Sequence, residues 1–119
     1  MKDFRQLKVW LKAHELTLSV YRATRHFPAE ERFALADQMR RSSVSVPSNL
    51  AEGCGRGSDK DFARFVHIAA GSVSELEYQC LLAYELGYLQ KPEHQQLDDQ
   101  AIEVKKMLHS LIQRLKQES

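Results

Sequence analysis

The residues best placed to do chemistry lie between Gln38 and Arg56, where Gln38, Arg41, Ser45, Asn49, Glu52 and Arg56 recur at intervals of three and four. On a helix that spacing lines hydrogen-bonding side chains along one side. Such a stripe suits a phosphate backbone: Arg41 and Arg56 would contact phosphates while Gln38, Ser45 and Asn49 make positioning hydrogen bonds. It equally suits an internal network in which Arg41 pairs with Glu52 or Asp37 and the amides satisfy backbone freed by Pro47. The i, i+4 spacing of Asp37 and Arg41 favours the internal network.

Catalysis needs a nucleophile, base or metal set that converges, and the candidates here are scattered. His14, His26, His67, His94 and His109 never pair at i, i+4, and no HExxH or Glu-x-x-His motif suggests a metal site in a bundle. Glu75 and Glu77, two residues apart, point away from each other on a helix. The run Gly53-Cys54-Gly55-Arg56-Gly57 lacks the Lys-Ser/Thr ending of a phosphate-cradling loop and follows a helical pattern rather than a strand. Cys54 and Cys80 have no metal-ligand spacing and read as reduced thiols of a cytoplasmic protein. The expectation is a chain with no enzymatic activity, cofactor or metal.

Cations supply the other candidate chemistry. Net charge is only +1, so nothing global signals nucleic acid. Residues 1–26, however, carry six basic against two acidic side chains, whereas residues 65–90 carry three glutamates and no Lys or Arg. Arg5, Lys8, Lys12 and Arg22 on the first helix are therefore candidate phosphate contacts, with Arg40, Lys60 and Arg64 as further candidates near the glycine loop. The bland alternative for the first row is a solvated outer face.

The elements that must position these groups are all helical. At 43% hydrophobic and 28% charged, the 119 residues suit one soluble domain, expected to span 1–119. No apolar leader opens the chain and no run of 18 apolar residues would span a membrane. A first helix is expected from Asp3 to about His26, with one apolar row of Phe4, Leu7, Leu11, His14, Leu18 and Tyr21 and a second of Trp10, Ala13, Thr17, Val20 and Phe27. His14 reads as a core histidine.

Pro28 should open the second helix, whose apolar face holds Leu35, Met39, Val46 and Leu50. Pro47 within it should cause a kink or be repaired by Ser42, Ser43, Ser45 or Ser48. The third helix, capped by Ser58 and stopped by Gly87, carries a seam of Phe62, Val66, Ala69, Val73, Leu76, Cys80 and Ala83. Gly71 inside it implies close approach by another helix or chain near Ser72. The fourth helix follows Pro92 with Leu97, Ala101, Val104, Leu108, Leu111 and Leu115. Four helices joined by short turns predict an all-α, up-down-up-down antiparallel four-helix bundle. The first two helices carry more apolar surface than such a bundle can hide, so a homo-oligomer is expected.

The segments QMRRSSVSVPSNLAEGCGR, ending at Arg56, and FARFVHIAAGSVSELE, Phe62 to Glu77, together with LKVWLKA from Leu7 to Ala13, carry a resemblance over nearly the whole chain. The sequence resembles the bacterial four-helix-bundle family encoded in intervening sequences of 23S rRNA genes, which is related to accessory proteins of diversity-generating retroelements. The resemblance implies a homopentamer. Its relatives work with a reverse transcriptase, which implies an RNA- or DNA-binding accessory role. A scaffold that recruits a protein partner is the alternative.

Overall fold

The computed structural model describes residues 2–118. Four helices, α1 (Lys8–Thr24), α2 (Leu35–Cys54), α3 (Asp59–Glu85) and α4 (Lys91–Glu118), are accompanied by single 3-10 turns at Phe4–Gln6 and Ala29–Glu31. Each helix packs on its neighbours in the chain, and α1 closes the bundle against α4. Contacts run in opposite order along neighbouring helices: Thr24 then Thr17 of α1 meet Arg40 then Ser43 of α2, Gly53 then Ser45 of α2 meet Phe62 then Ser72 of α3, and Tyr84 then Glu77 of α3 meet His94 then Lys105 of α4, so successive helices alternate in direction. The bundle measures 46 × 22 × 19 Å.

Helix ends follow local chemistry. Ser58 accepts a hydrogen bond from the Asp61 amide at 3.2 Å and opens α3. At the other end Gly87 takes φ +85°, the Gly87 amide donates to the Tyr84 carbonyl, and the Tyr88 amide donates back to Ala83, which together form a Schellman stop. Tyr88, just beyond it, packs on Phe27 and donates its hydroxyl to Glu31. The Gln90 amide donates to the Glu93 carboxylate at the start of α4. All seven seam residues of α3 and all six of the α4 row are buried. Met39, Val46 and Leu50 complete the centre from α2.

Helix α1 departs from its expected form in two ways. The chain does not enter it at Asp3: Asp3 caps a 3-10 turn by accepting the Arg5 amide, Leu7 is extended, and the Lys2 amide donates to Cys54 at the end of α2. Of its two expected rows the bundle covers the second: Ala13, Thr17, Val20 and Phe27 are buried and Val9 and Leu16 join them, while Leu11, Leu18 and Tyr21 of the first row are exposed and Phe4, Leu7, Trp10 and His14 are half-buried. His14 is accordingly no core histidine: it stacks on Trp10, 5.1 Å between ring centroids and 6° from parallel.

Two further expectations are corrected at the prolines. Pro28 opens the 3-10 turn, not α2, which starts at Leu35 with its first amide held by the Glu31 carboxylate at 3.2 Å. Pro47 has no N–H for the Ser43 carbonyl, yet α2 runs unbroken through it. The partner for that carbonyl comes from the neighbouring helix and not from local serines: the Thr17 hydroxyl donates to it at 2.8 Å. Ser43 is fully buried, so water could not serve.

The glycines inside helices separate by surroundings. A Cβ on Gly53 would come within 2.9 Å of the Phe62 ring and 3.0 Å of the Phe65 Cβ, so Gly53 lets α2 and α3 touch. Gly71 faces open space, with no atom within 4 Å of where its Cβ would lie, so no helix of this chain accounts for it. Gly53→Ala should therefore destabilise by about 1–3 kcal/mol, whereas Gly71→Ala should stabilise by about 0.5–1 kcal/mol. Urea unfolding of both variants decides. In the same assay Thr17→Val should cost about 1–3 kcal/mol, and less once Pro47→Ala restores the missing N–H; equal costs in both backgrounds would exclude the assigned role of Thr17.

Candidate nucleic-acid interface

The polar stripe of α2 divides into three parts. At one end Arg41 donates to Asp37 at 2.9 Å, and at the other Arg56 pairs with Glu52 at 3.2 Å, both solvent-accessible i, i+4 pairs. In the middle Asn49 donates to the Ser45 carbonyl at 2.7 Å and to its hydroxyl at 3.0 Å, and that hydroxyl meets the Ser72 hydroxyl of α3 at 2.8 Å. Gln38 is exposed. The half-buried centre thus belongs to the α2–α3 joint, and the ends remain accessible to a ligand.

The other cations are dispersed over the bundle. Lys8, Lys12 and Arg22 lie along the exposed side of α1, Lys12 reaching Glu15 and, across to α4, Glu103 at 3.8 Å. Arg5 bonds Asp3 within the N-terminal turn. Arg40 does not approach the glycine loop. It sits about 20 Å along α2 from it by the helical rise, with Nε donating to Thr24 at 2.8 Å and its guanidinium over the Tyr21 ring.

At the loop itself a compact basic cluster forms. The Arg56 and Arg64 guanidinium groups lie 5.1 and 4.5 Å from the centroid of one ring, Phe65, and the Lys2 ammonium lies 4.6 Å from that of Phe62. Lys60 is exposed one residue into α3. Asp59 and Asp61 share this end, in the first turn of α3, where the helix dipole favours them. Lys2, Phe62 and Phe65 join this cluster beyond the cations that the sequence points to. The alternation of cations and aromatics in KDFARF, Lys60 to Phe65, is the signal that marks them.

The thiols lie apart from this cluster's chemistry. Burial, with lesser contributions from Asp98 and Glu77, pushes the Cys80 thiol up to about 12, and burial also raises Cys54. Both are therefore protonated near neutral pH and poor nucleophiles. Among the described residues no three His, Cys, Asp or Glu side chains gather as a metal-binding set. No helix among them is long and apolar enough to cross a membrane.

The sequence matches a known family over residues 5–110, that of the 23S rRNA-intervening sequence protein. The chain belongs to that family. Among solved structures, the intervening-sequence-family chain is similar to a crystal structure from Bacteroides thetaiotaomicron VPI-5482, described as a protein with unknown function from the S23 ribosomal protein family. The two share 24% identity with a TM-score of 0.81, over 88% of this chain and 95% of the other. That likeness concerns the fold alone. No curated protein matches.

The two parts of the α2 stripe should respond differently to mutation. Asp37→Asn, which removes an exposed pair, should shift unfolding stability by at most about 0.5 kcal/mol. Asn49→Ala, which strips two bonds from the half-buried joint, should cost about 0.5–1.5 kcal/mol. Thermal melts followed by circular dichroism compare the two directly.

Proposed function

We propose that this intervening-sequence-family protein is a non-enzymatic, self-associating bundle that binds RNA or DNA as an accessory factor. The observation that carries the reading is the basic cluster at the glycine loop, where Lys2, Arg56 and Arg64 are held on Phe62 and Phe65. A guanidinium stacked on a ring keeps its in-plane N–H groups free for phosphate oxygens. The surface ion pairs of Arg5, Lys12, Arg41 and Arg56 are weak enough to yield to a phosphate. Copies multiply the contacts, since affinity grows with the counterions released.

Self-association draws on the outward row of α1. Leu11, Leu18 and Tyr21 are 49%, 40% and 38% exposed, and Val44 on adjoining α2 is 37% exposed. The strip continues through half-buried Trp10 and His14 into a shallow groove against Pro47 and Ala51. A cyclic contact with further copies would cover it, and the family resemblance makes five the expected number. A second reading, a scaffold recruiting a reverse transcriptase or another protein, is favoured by the same ion pairs, which leave fewer uncompensated cations than the sequence shows.

A mobility shift with structured RNA and with duplex DNA tests the first reading. Retardation is expected at about 50 mM salt and should weaken as salt rises. Arg56→Gln with Arg64→Gln should flatten the logarithmic salt slope by about 2. Absence of any shift at low salt rejects nucleic-acid binding, and a partner retained from bacterial lysate after nuclease treatment would favour the scaffold. Light scattering tests assembly: the wild-type chain should exceed the 13.7 kDa monomer mass, and Leu11→Glu with Leu18→Glu should return it to that mass.

A further inference from the structure

The end of the bundle opposite the glycine loop holds a second concentration of positive charge that the reading above does not use. A concavity of about 380 Å³ opens between the end of α1, the 3-10 turn at Ala29–Glu31 and the first turns of α2. Three arginines from three different segments line it: Arg25 follows α1, Arg32 follows the 3-10 turn, and Arg40 projects from α2. Thr24, Phe27 and Pro28 are among its other walls, and no Asp or Glu lines it.

None of these three arginines has an ion pair among the described residues, and the Arg32 guanidinium carbon lies 5.8 Å from the Phe33 ring centroid. Glu31, on the intervening turn, is turned away to the Leu35 amide and the Tyr88 hydroxyl. Gathering three like charges without a counter-charge costs free energy that an anion would recover. The dipole at the C-terminus of α1 accounts for Arg25 but not for Arg32 or Arg40, which belong to other elements.

Arg40 is also oriented in advance. The Thr24 hydroxyl donates to the Val20 carbonyl at 2.8 Å and so presents its oxygen to Arg40 Nε, again at 2.8 Å. The Tyr21 ring lies 4.8 Å from the guanidinium carbon. Both contacts leave the two terminal nitrogens of Arg40 for a ligand. A planar fork held in this way suits the paired oxygens of a phosphate. At about 380 Å³ the concavity has room for more than a bare phosphate, and Phe27 and Pro28 give the remainder an apolar wall.

We infer that this concavity is a phosphomonoester site, with Arg25, Arg32 and Arg40 on the phosphate and the esterified group against Pro28 and Phe27. The phosphate could be the end of a nucleic-acid strand or part of a free small molecule. The site stands whether or not the loop cluster binds nucleic acid.

Calorimetric titration with adenosine 5′-monophosphate, inorganic phosphate and adenosine tests it on the intact protein. Saturable binding of the monophosphate is expected, and none of adenosine. Arg32→Gln and Arg40→Gln should each weaken it at least about tenfold, while Arg114→Gln on α4 should leave it unchanged. Arg32 is exposed, so its variant reports on binding even if Arg40→Gln perturbs the fold. An oligonucleotide bound more tightly with a 5′-phosphate than with a 5′-hydroxyl, in an Arg32-dependent way, identifies the strand end as the source; equal binding identifies the free phosphate ester. No binding of monophosphate or inorganic phosphate at about 10 mM, or binding that Arg32→Gln leaves intact, overturns the site.

Discussion

A helix in a four-helix bundle can hide only the arc that its two neighbours cover, and α1 is apolar over more than that arc. The apolar strip along the outside of α1 follows from that excess. Val9, Ala13, Leu16 and Val20 fit the interior between α2 and α4, which leaves Leu11, Leu18 and Tyr21 facing solvent. At about 25 cal/mol per Å² the exposed strip represents a sizeable unrealised stabilisation. The N-terminal turn covers part of it, with Phe4 set edge-on against Trp10 at 4.8 Å.

Much of the fold was legible because α3 and α4 each carry one apolar row kept at strict three-four spacing along its whole length. In such helices periodicity names the buried residues directly, as it did from Phe62 to Ala83 and from Leu97 to Leu115. On α1 it left two apolar rows, and spacing alone does not say which one the neighbours will cover. The displaced start of α1 was hidden in the same way, because a 3-10 turn and a helix share their local sequence preferences, and the Lys2 to Cys54 hydrogen bond joins residues far apart in the chain.

The candidate site was less legible than the fold. Spacing placed Gln38, Arg41, Ser45, Asn49 and Glu52 on one side of α2, but it could not show that Ser72 would take the centre of that row into a joint with α3. Nor could it gather Lys2 with Phe62, or Arg25 and Arg32 with Arg40, since these groupings arise from how the bundle ends are closed. Charge counted along the chain pointed to α1. In three dimensions two groups of cations form at the ends of the bundle, where loops and helix termini from different segments converge.

Pro47 gives the α1–α2 pair a property that ordinary helical sequences lack. A smooth apolar face tolerates sliding by one turn, because one layer of leucines or valines resembles the next. Here a slide would carry the Thr17 hydroxyl away from Ser43 and strand a buried carbonyl in a dry interior. The proline thus acts as a notch and the threonine as its key, so that alternative alignments of the two helices are penalised while the native one is not. A residue that weakens one helix thereby selects a single arrangement for two.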